Sequence, residues 1–200
     1  MSNTGSQHRR DAERTRGPYA AWLVCFLATL VASAALAAPR VTVGSAEVSL
    51  DEGIYELSAT LDVRIPDDAR KAIEAGLTLR LDYEIEISRV RRYMPDAGVA
   101  SLVQSYELSY HALSQRYLLR NLNTGAQLDF GSLQAAIDRV SEVRGLPVID
   151  SLLLEAGPTY EFRVRAVVDM STVPDALSWL LFWADDWSAT SEWYAWTLRR

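Results

Sequence analysis

His111 is the one histidine after the first 38 residues, and Lys71 is the sole lysine of the chain. A histidine does acid–base work only beside a nucleophile and an orienting acid, and metal work only with further ligands. The residues around His111 (Tyr110, Ala112, Leu113, Ser114) offer neither at usable spacing. A hydrogen-bonding role on the polar side of a strand is therefore expected for it. Lys71 has no Ser-x-x-Lys context. No Gly-x-Ser-x-Gly, phosphate loop or dinucleotide fingerprint occurs.

Paired carboxylates are the other candidates: Asp67-Asp68, Asp185-Asp186, and Glu84 with Glu86. Adjacent strand residues point to opposite faces, whereas residues two apart share one. Glu84 and Glu86 thus share a face, where two carboxylates could hold calcium or divide acid and base roles. A water-facing sheet surface explains the same two residues without a site. The aspartate pairs suit helix starts and turns. The spacing gives no sign of two acids facing across a sugar-sized cleft.

Aromatic residues crowd the end of the chain. Trp179, Trp183, Trp187, Trp193 and Trp196 fall within the last 22 residues, with Phe182 and Tyr194 among them. Trp179 and Trp183 are four apart, one turn of a helix, with Leu180 and Leu181 beside them. Tryptophan favours places where one end is apolar and the other wet, including interfaces and membrane boundaries. Trp179, Trp183, Phe182 and Leu180 are the candidate partner or membrane surface, and burial as core is the plainer alternative. Arg89, Arg91 and Arg92 form the one basic cluster, expected at a solvated strand end.

These residues need a frame, and the dominant rhythm is two. Leu57 to Ile65, Leu77 to Ile87 and Tyr160 to Val168 alternate apolar and polar side chains. That is the pattern of antiparallel strands with one face on a core. Further strands are expected at Val41–Leu50, Leu102–Leu113, Gln115–Leu122, Gln127–Phe130 and Trp187–Leu198, about eight in all. Asn123-Thr124-Gly125 signals a hairpin. Three short helices are expected: Pro66 to about Gly76, Ser132–Val143, and one led by Pro174 through Asp175–Trp183. The expected fold is mainly β, an antiparallel two-layer β-sandwich of immunoglobulin-like type.

A leader precedes this domain. Met1 to Gly17 carries Arg9, Arg10, Arg14 and Arg16, and Tyr19 to Ala38 is free of charge and ends in Ala35-Leu36-Ala37. A basic start, an apolar run and a small-x-small end make residues 1–38 a signal peptide or an uncleaved membrane anchor. Residues 39–200 then form a single extracytoplasmic domain, periplasmic or held at the inner membrane. Cys25, the only cysteine, lies inside the apolar run. The domain is therefore without disulfide or thiolate chemistry. Four of the 20 basic and two of the 26 acidic residues precede Ala38, which leaves a domain of net charge about −8. That balance opposes nucleic-acid binding.

The stretch Gly76-Leu77-Thr78-Leu79, the run Tyr110 to Ser114 with Tyr117-Leu118, and Asn121-Leu122 before Thr124-Gly125 resemble a proteobacterial family, domain-of-unknown-function family 4390. Leu146 to Asp150, Tyr160 to Arg165, Asp186-Trp187 and Ser191 to Trp196 fit it too. The resemblance spans nearly all of the domain and is one of strands and turns. It implies an exported or membrane-anchored protein whose gene often lies beside a membrane sensor kinase and its response regulator. Met94 and Pro95 depart from it, standing where relatives tend to place tryptophans.

Three functions are in view. The first is a non-enzymatic envelope module that contacts another protein, with a membrane sensor kinase as the suggested partner. The second is a small-ligand or lipid-binding sandwich with a cavity lined by residues such as Tyr106, Leu108 and Phe162. The third, an undetected hydrolase, requires His111 or paired acids in a cleft. No cofactor or metal is implied.

Overall fold

The computed structural model describes residues 40–172 and 188–200. Within them the chain is mainly β, in two antiparallel sheets with two short helices. The strands are β1 (Arg40–Asp51), β2 (Ile54–Arg64), β3 (Thr78–Arg89), β4 (Ala97–His111), β5 (Arg116–Asn121) and β6 (Gln127–Phe130). After them come β7 (Glu142–Asp150), β8 (Thr159–Thr172), β9 (Ala189–Thr190) and β10 (Tyr194–Arg199). Helix α1 is Asp67–Glu74 and α2 is Leu133–Val140. A 3₁₀ turn occupies Ser151–Leu153.

One sheet has three strands in the order β1-β2-β7. The other has seven, in the order β10-β8-β3-β4-β5-β6, with β9 also on β8. At its centre the alternation of β3 is realised without a break from Leu79 to Ile87: the leucines, Tyr83 and the isoleucines are buried, and the residues between them are not. Tyr160, Phe162, Val164, Ala166 and Val168 of β8 do the same. Leu57, Ala59 and Leu61 of the smaller sheet share one hydrophobic cluster with that face, and so do Ala69 and Ile73 of α1 and Ala136, Ile137 and Val140 of α2. Burying such a side chain contributes about 1.5–3 kcal/mol, so this shared face supplies most of the stabilisation.

Local chemistry fixes the elements. Asp67 and Asp68 occupy the first turn of α1, where the helix dipole favours them. Ser132 caps α2 by accepting a hydrogen bond from the Ala135 N–H at 3.2 Å. Tyr83 ties the larger sheet to α2: its hydroxyl donates to the Val140 carbonyl at 2.5 Å, at the end of the helix. The expected hairpin joins β5 to β6, with Gly125 at φ 76° and its N–H on the Asn121 carbonyl.

The structure differs from the sequence expectation in its strands. Ten strands stand among the described residues, where about eight were expected. One is β7, which takes over at Glu142 from a helix expected to reach Val143. The final expected strand is divided into β9 and β10. The third expected helix, Asp175–Trp183, and the leader lie outside the described residues.

Candidate functional site

Several loops gather at one end of the domain and expose large apolar side chains there. The β1–β2 connection is a two-residue hairpin, with Asp51 opposite Ile54. Its central residues, Glu52 and Gly53, both have positive φ (44° and 88°), as a type I′ turn demands. The Gly53 carbonyl accepts from the Ser151 N–H at 2.8 Å, which docks the 3₁₀ turn against the hairpin. Asp150 pairs with Ile54, and its carboxylate caps the turn by accepting from the Leu152 N–H at 2.8 Å. Leu154 is fully buried and pins the turn from the other side. Held at both ends, the turn offers Leu152 and Leu153 to solvent, 83% and 70% exposed. Leu50 and Ile54 flank them, also exposed.

The β3–β4 loop lies at the same end. The Val90 N–H bonds the Thr159 carbonyl, and Arg89 pairs with Glu155 at 2.9 Å. Asp96 folds the loop back by accepting from the Arg91 N–H at 3.0 Å. Tyr93 and Met94 project from it, 90% and 63% exposed. Arg91 and Arg92 have no ion-pair partner among the described residues. Scattered apolar exposure needs no explanation; here the large side chains are instead collected on adjoining loops at one end.

The outer face of the larger sheet carries a charged ladder. Glu86 is paired with Arg163 and Glu84 with Arg165 across the β3–β8 register. The Trp193 ring lies 4.7 Å from the Arg163 guanidinium carbon and 4.5 Å from that of Arg165. The two glutamates share a face, as their spacing implies, but each is engaged by its own arginine. Such an arrangement neutralises charge rather than holding a free carboxylate pair.

The other sequence-derived candidates are dispersed. His111 is exposed at the end of β4, its Nδ1 2.8 Å from the Ser114 hydroxyl. Eight residues of strand, roughly 26 Å, separate it from Val103, the partner of Glu84. Asp67 pairs with Arg70, and Asp68 with Lys71, along α1. No cluster of three potential metal ligands occurs among the described residues. Leu108 and Phe162 are buried in separate clusters, and Tyr106 stands edge-on to Tyr83. A cleft of about 650 Å³ opens elsewhere, between α1, the end of β2 and the start of α2. In it the Tyr117 hydroxyl donates to Glu74 at 2.6 Å. Burial and that carboxylate push the Tyr117 phenol up to about 12.

Of the tryptophans, Trp196 is half-buried and stacks on Phe162 at 5.9 Å. Trp179, Trp183, Phe182, Leu180, Trp187 and the pair Asp185-Asp186 lie outside the described residues. Sequence reasoning missed Leu50, Ile54, Leu152 and Leu153. The run Leu152-Leu153-Leu154 contained the signal, but not which of the three is buried.

No curated protein and no solved structure gives a significant match to the chain. The family model described as Domain of unknown function (DUF4390) matches residues 38–197, and the chain belongs to that family.

Proposed function

We propose that this is a non-enzymatic envelope protein that acts by contacting another envelope protein. The observation that carries this reading is the end bearing Tyr93, Met94, Leu152 and Leu153, four large apolar side chains on loops held out by specific hydrogen bonds. A membrane sensor kinase of a two-component system is the partner suggested by the family resemblance. The basic, apolar, small-residue leader supports a periplasmic location, with residues 1–38 exporting the domain or anchoring it at the inner membrane. In this reading the two sheets are the layers of an antiparallel β-sandwich, supported by their common hydrophobic cluster. Their division into three and seven strands departs from the four and three of an immunoglobulin constant domain.

Crosslinking in the membrane fraction, followed by identification of the trapped protein, tests the proposal. Recovery of one envelope protein, such as a kinase, supports it; recovery of only abundant bulk protein overturns it. A second reading, small-ligand binding, draws on the cleft of about 650 Å³ beside Tyr117 and Glu74. It requires saturable binding that Tyr117→Ala abolishes.

A further inference from the structure

Strand β4 is longer than the strand beside it. It pairs with β3 from Ala97 to Leu108, but β5 covers only Tyr106 to His111. Along Ala97–Ser105 no second strand lies on the β5 side among the described residues. The Asn121–Thr124 loop closes only the inner part of this gap. Asn123 stands in for a strand there: its Oδ1 accepts from the Ser105 N–H at 2.8 Å, and its Nδ2 donates to the Val103 carbonyl at 2.9 Å. The Leu122 N–H completes the patch on the Ser105 carbonyl.

These contacts show which backbone groups face outward. N–H and C=O of one residue point to the same side of an antiparallel strand and alternate along it. Ser105 and Val103 face the β5 side, so Ser101 does as well. The N–H of Val103 and both backbone groups of Ser101 therefore line an edge that is open among the described residues. Such an edge is a template for another strand unless charge, proline or a bulge blunts it. Ala97–Ser105 carries neither charge nor proline, and the register break near Gly98 lies at its start. The edge strand β7, by contrast, carries Pro147 and two register breaks.

The surroundings select what fits. On the core side, Ala100 and Leu102 are half-buried against the apolar interior. On the outer side, Val99 and Val103 are exposed, and Val99 and Ser101 line a groove of about 440 Å³. Glu86, Asp96, Glu161 and Arg163 line that groove; Arg163 pairs with Glu86, which leaves the acids Asp96 and Glu161.

We propose that the Ala97–Val103 half of β4 takes an extended segment of the partner protein as an added strand. The segment presents apolar side chains to Ala100 and Leu102, and lysine or arginine to the groove holding Asp96 and Glu161. The edge starts at the loop that bears Tyr93 and Met94, so the inference rests on the reading of that end as an interaction surface and specifies how a partner reaches in.

The test titrates the full-length solubilised chain with a blocked hexapeptide alternating lysine and valine. A second peptide of the same sequence carries N-methyl groups on alternate backbone nitrogens and cannot complete a ladder. Saturable binding is expected, weakened at least tenfold by N-methylation. Ser101→Pro removes an edge-facing N–H without touching the β3 ladder, and should also weaken binding tenfold or more. Glu161→Gln should weaken it a few-fold. Should Ser101→Pro fail to fold, the N-methylated peptide decides the matter on the unaltered protein. Equal affinity for the two peptides, or no saturation at millimolar peptide, overturns the proposal. If crosslinks to one partner form from Leu152 and the peptide fails, strand addition falls and the interaction surface stands.

Discussion

Arg165 donates to Glu84 at 2.6 Å across neighbouring strands, 81 residues apart in sequence, while its guanidinium rests 4.5 Å from the Trp193 ring centroid. Glu84, which could have formed half of a carboxylate site, is thus part of a neutral, layered surface. The ring holds the arginine against the sheet and shields the pair from water. A half-exposed ion pair contributes only about 0–1 kcal/mol alone, and a cation–π contact about 0.5–1 kcal/mol more. Trp193→Ala should therefore destabilise the domain by about 1–2 kcal/mol, and Glu84→Gln by less than 1 kcal/mol. A double-mutant cycle between Trp193 and Arg165, read by chemical denaturation, should give a coupling of at least 0.5 kcal/mol.

The Tyr83 hydroxyl and the Val140 carbonyl satisfy each other in the interior. Tyr83→Phe leaves the carbonyl buried without this donor. A loss of about 1–2 kcal/mol in unfolding free energy is expected, with the fold retained by circular dichroism.

Tyr117 should make stability fall in alkali. Its phenol is raised to about 12 by burial and by Glu74, against an ordinary value of 10.0. Between those values the unfolded chain has lost the proton and the folded chain still holds it. Stability due to this group is therefore complete below about pH 10 and is lost as pH rises towards 12. Tyr117→Phe should flatten the decline, measured as melting temperature against pH. A phenolate absorbance titration of the folded protein should lose one late-titrating group in the same variant, while Tyr83 and Tyr106, also raised by burial, remain.

Gly145 interrupts β7 with a φ of 61°, in the left-handed region. A Cβ there would also meet the Glu56 carboxylate at 3.1 Å. Gly145→Ala should cost about 1–2 kcal/mol through backbone strain. A matched change at Gly98, which has no positive φ and open space beside it, should cost less, by the same denaturation measurement.

What was legible in the sequence follows from whether one strand could be read by itself. β3 lies between β4 and β8 and keeps strict alternation, so both its identity and its buried face could be read. β7 could not: the register breaks beside Gly145 and near Pro147 disrupt the rhythm of two, and its start adjoins a helix of good periodicity. At the site, the shared face of Glu84 and Glu86 was legible from spacing alone. Their arginines were not, because cross-strand register is a non-local property. Leu152, Leu153 and Leu154 show the same limit: three identical side chains, of which only tertiary packing buries the third.

On the proposed function, the end carrying Leu152 and Tyr93 meets a partner. Leu113 supplies an internal comparison, being 94% exposed in the turn at the opposite end of β4. A photo-crosslinking amino acid is placed in living cells at position 152, 93 or 113, and the irradiated membrane fraction is resolved by mass. Positions 152 and 93 should each give one discrete adduct with the same envelope protein, and position 113 none. Adducts of equal yield from all three positions, or none from 152 and 93, would contradict the account.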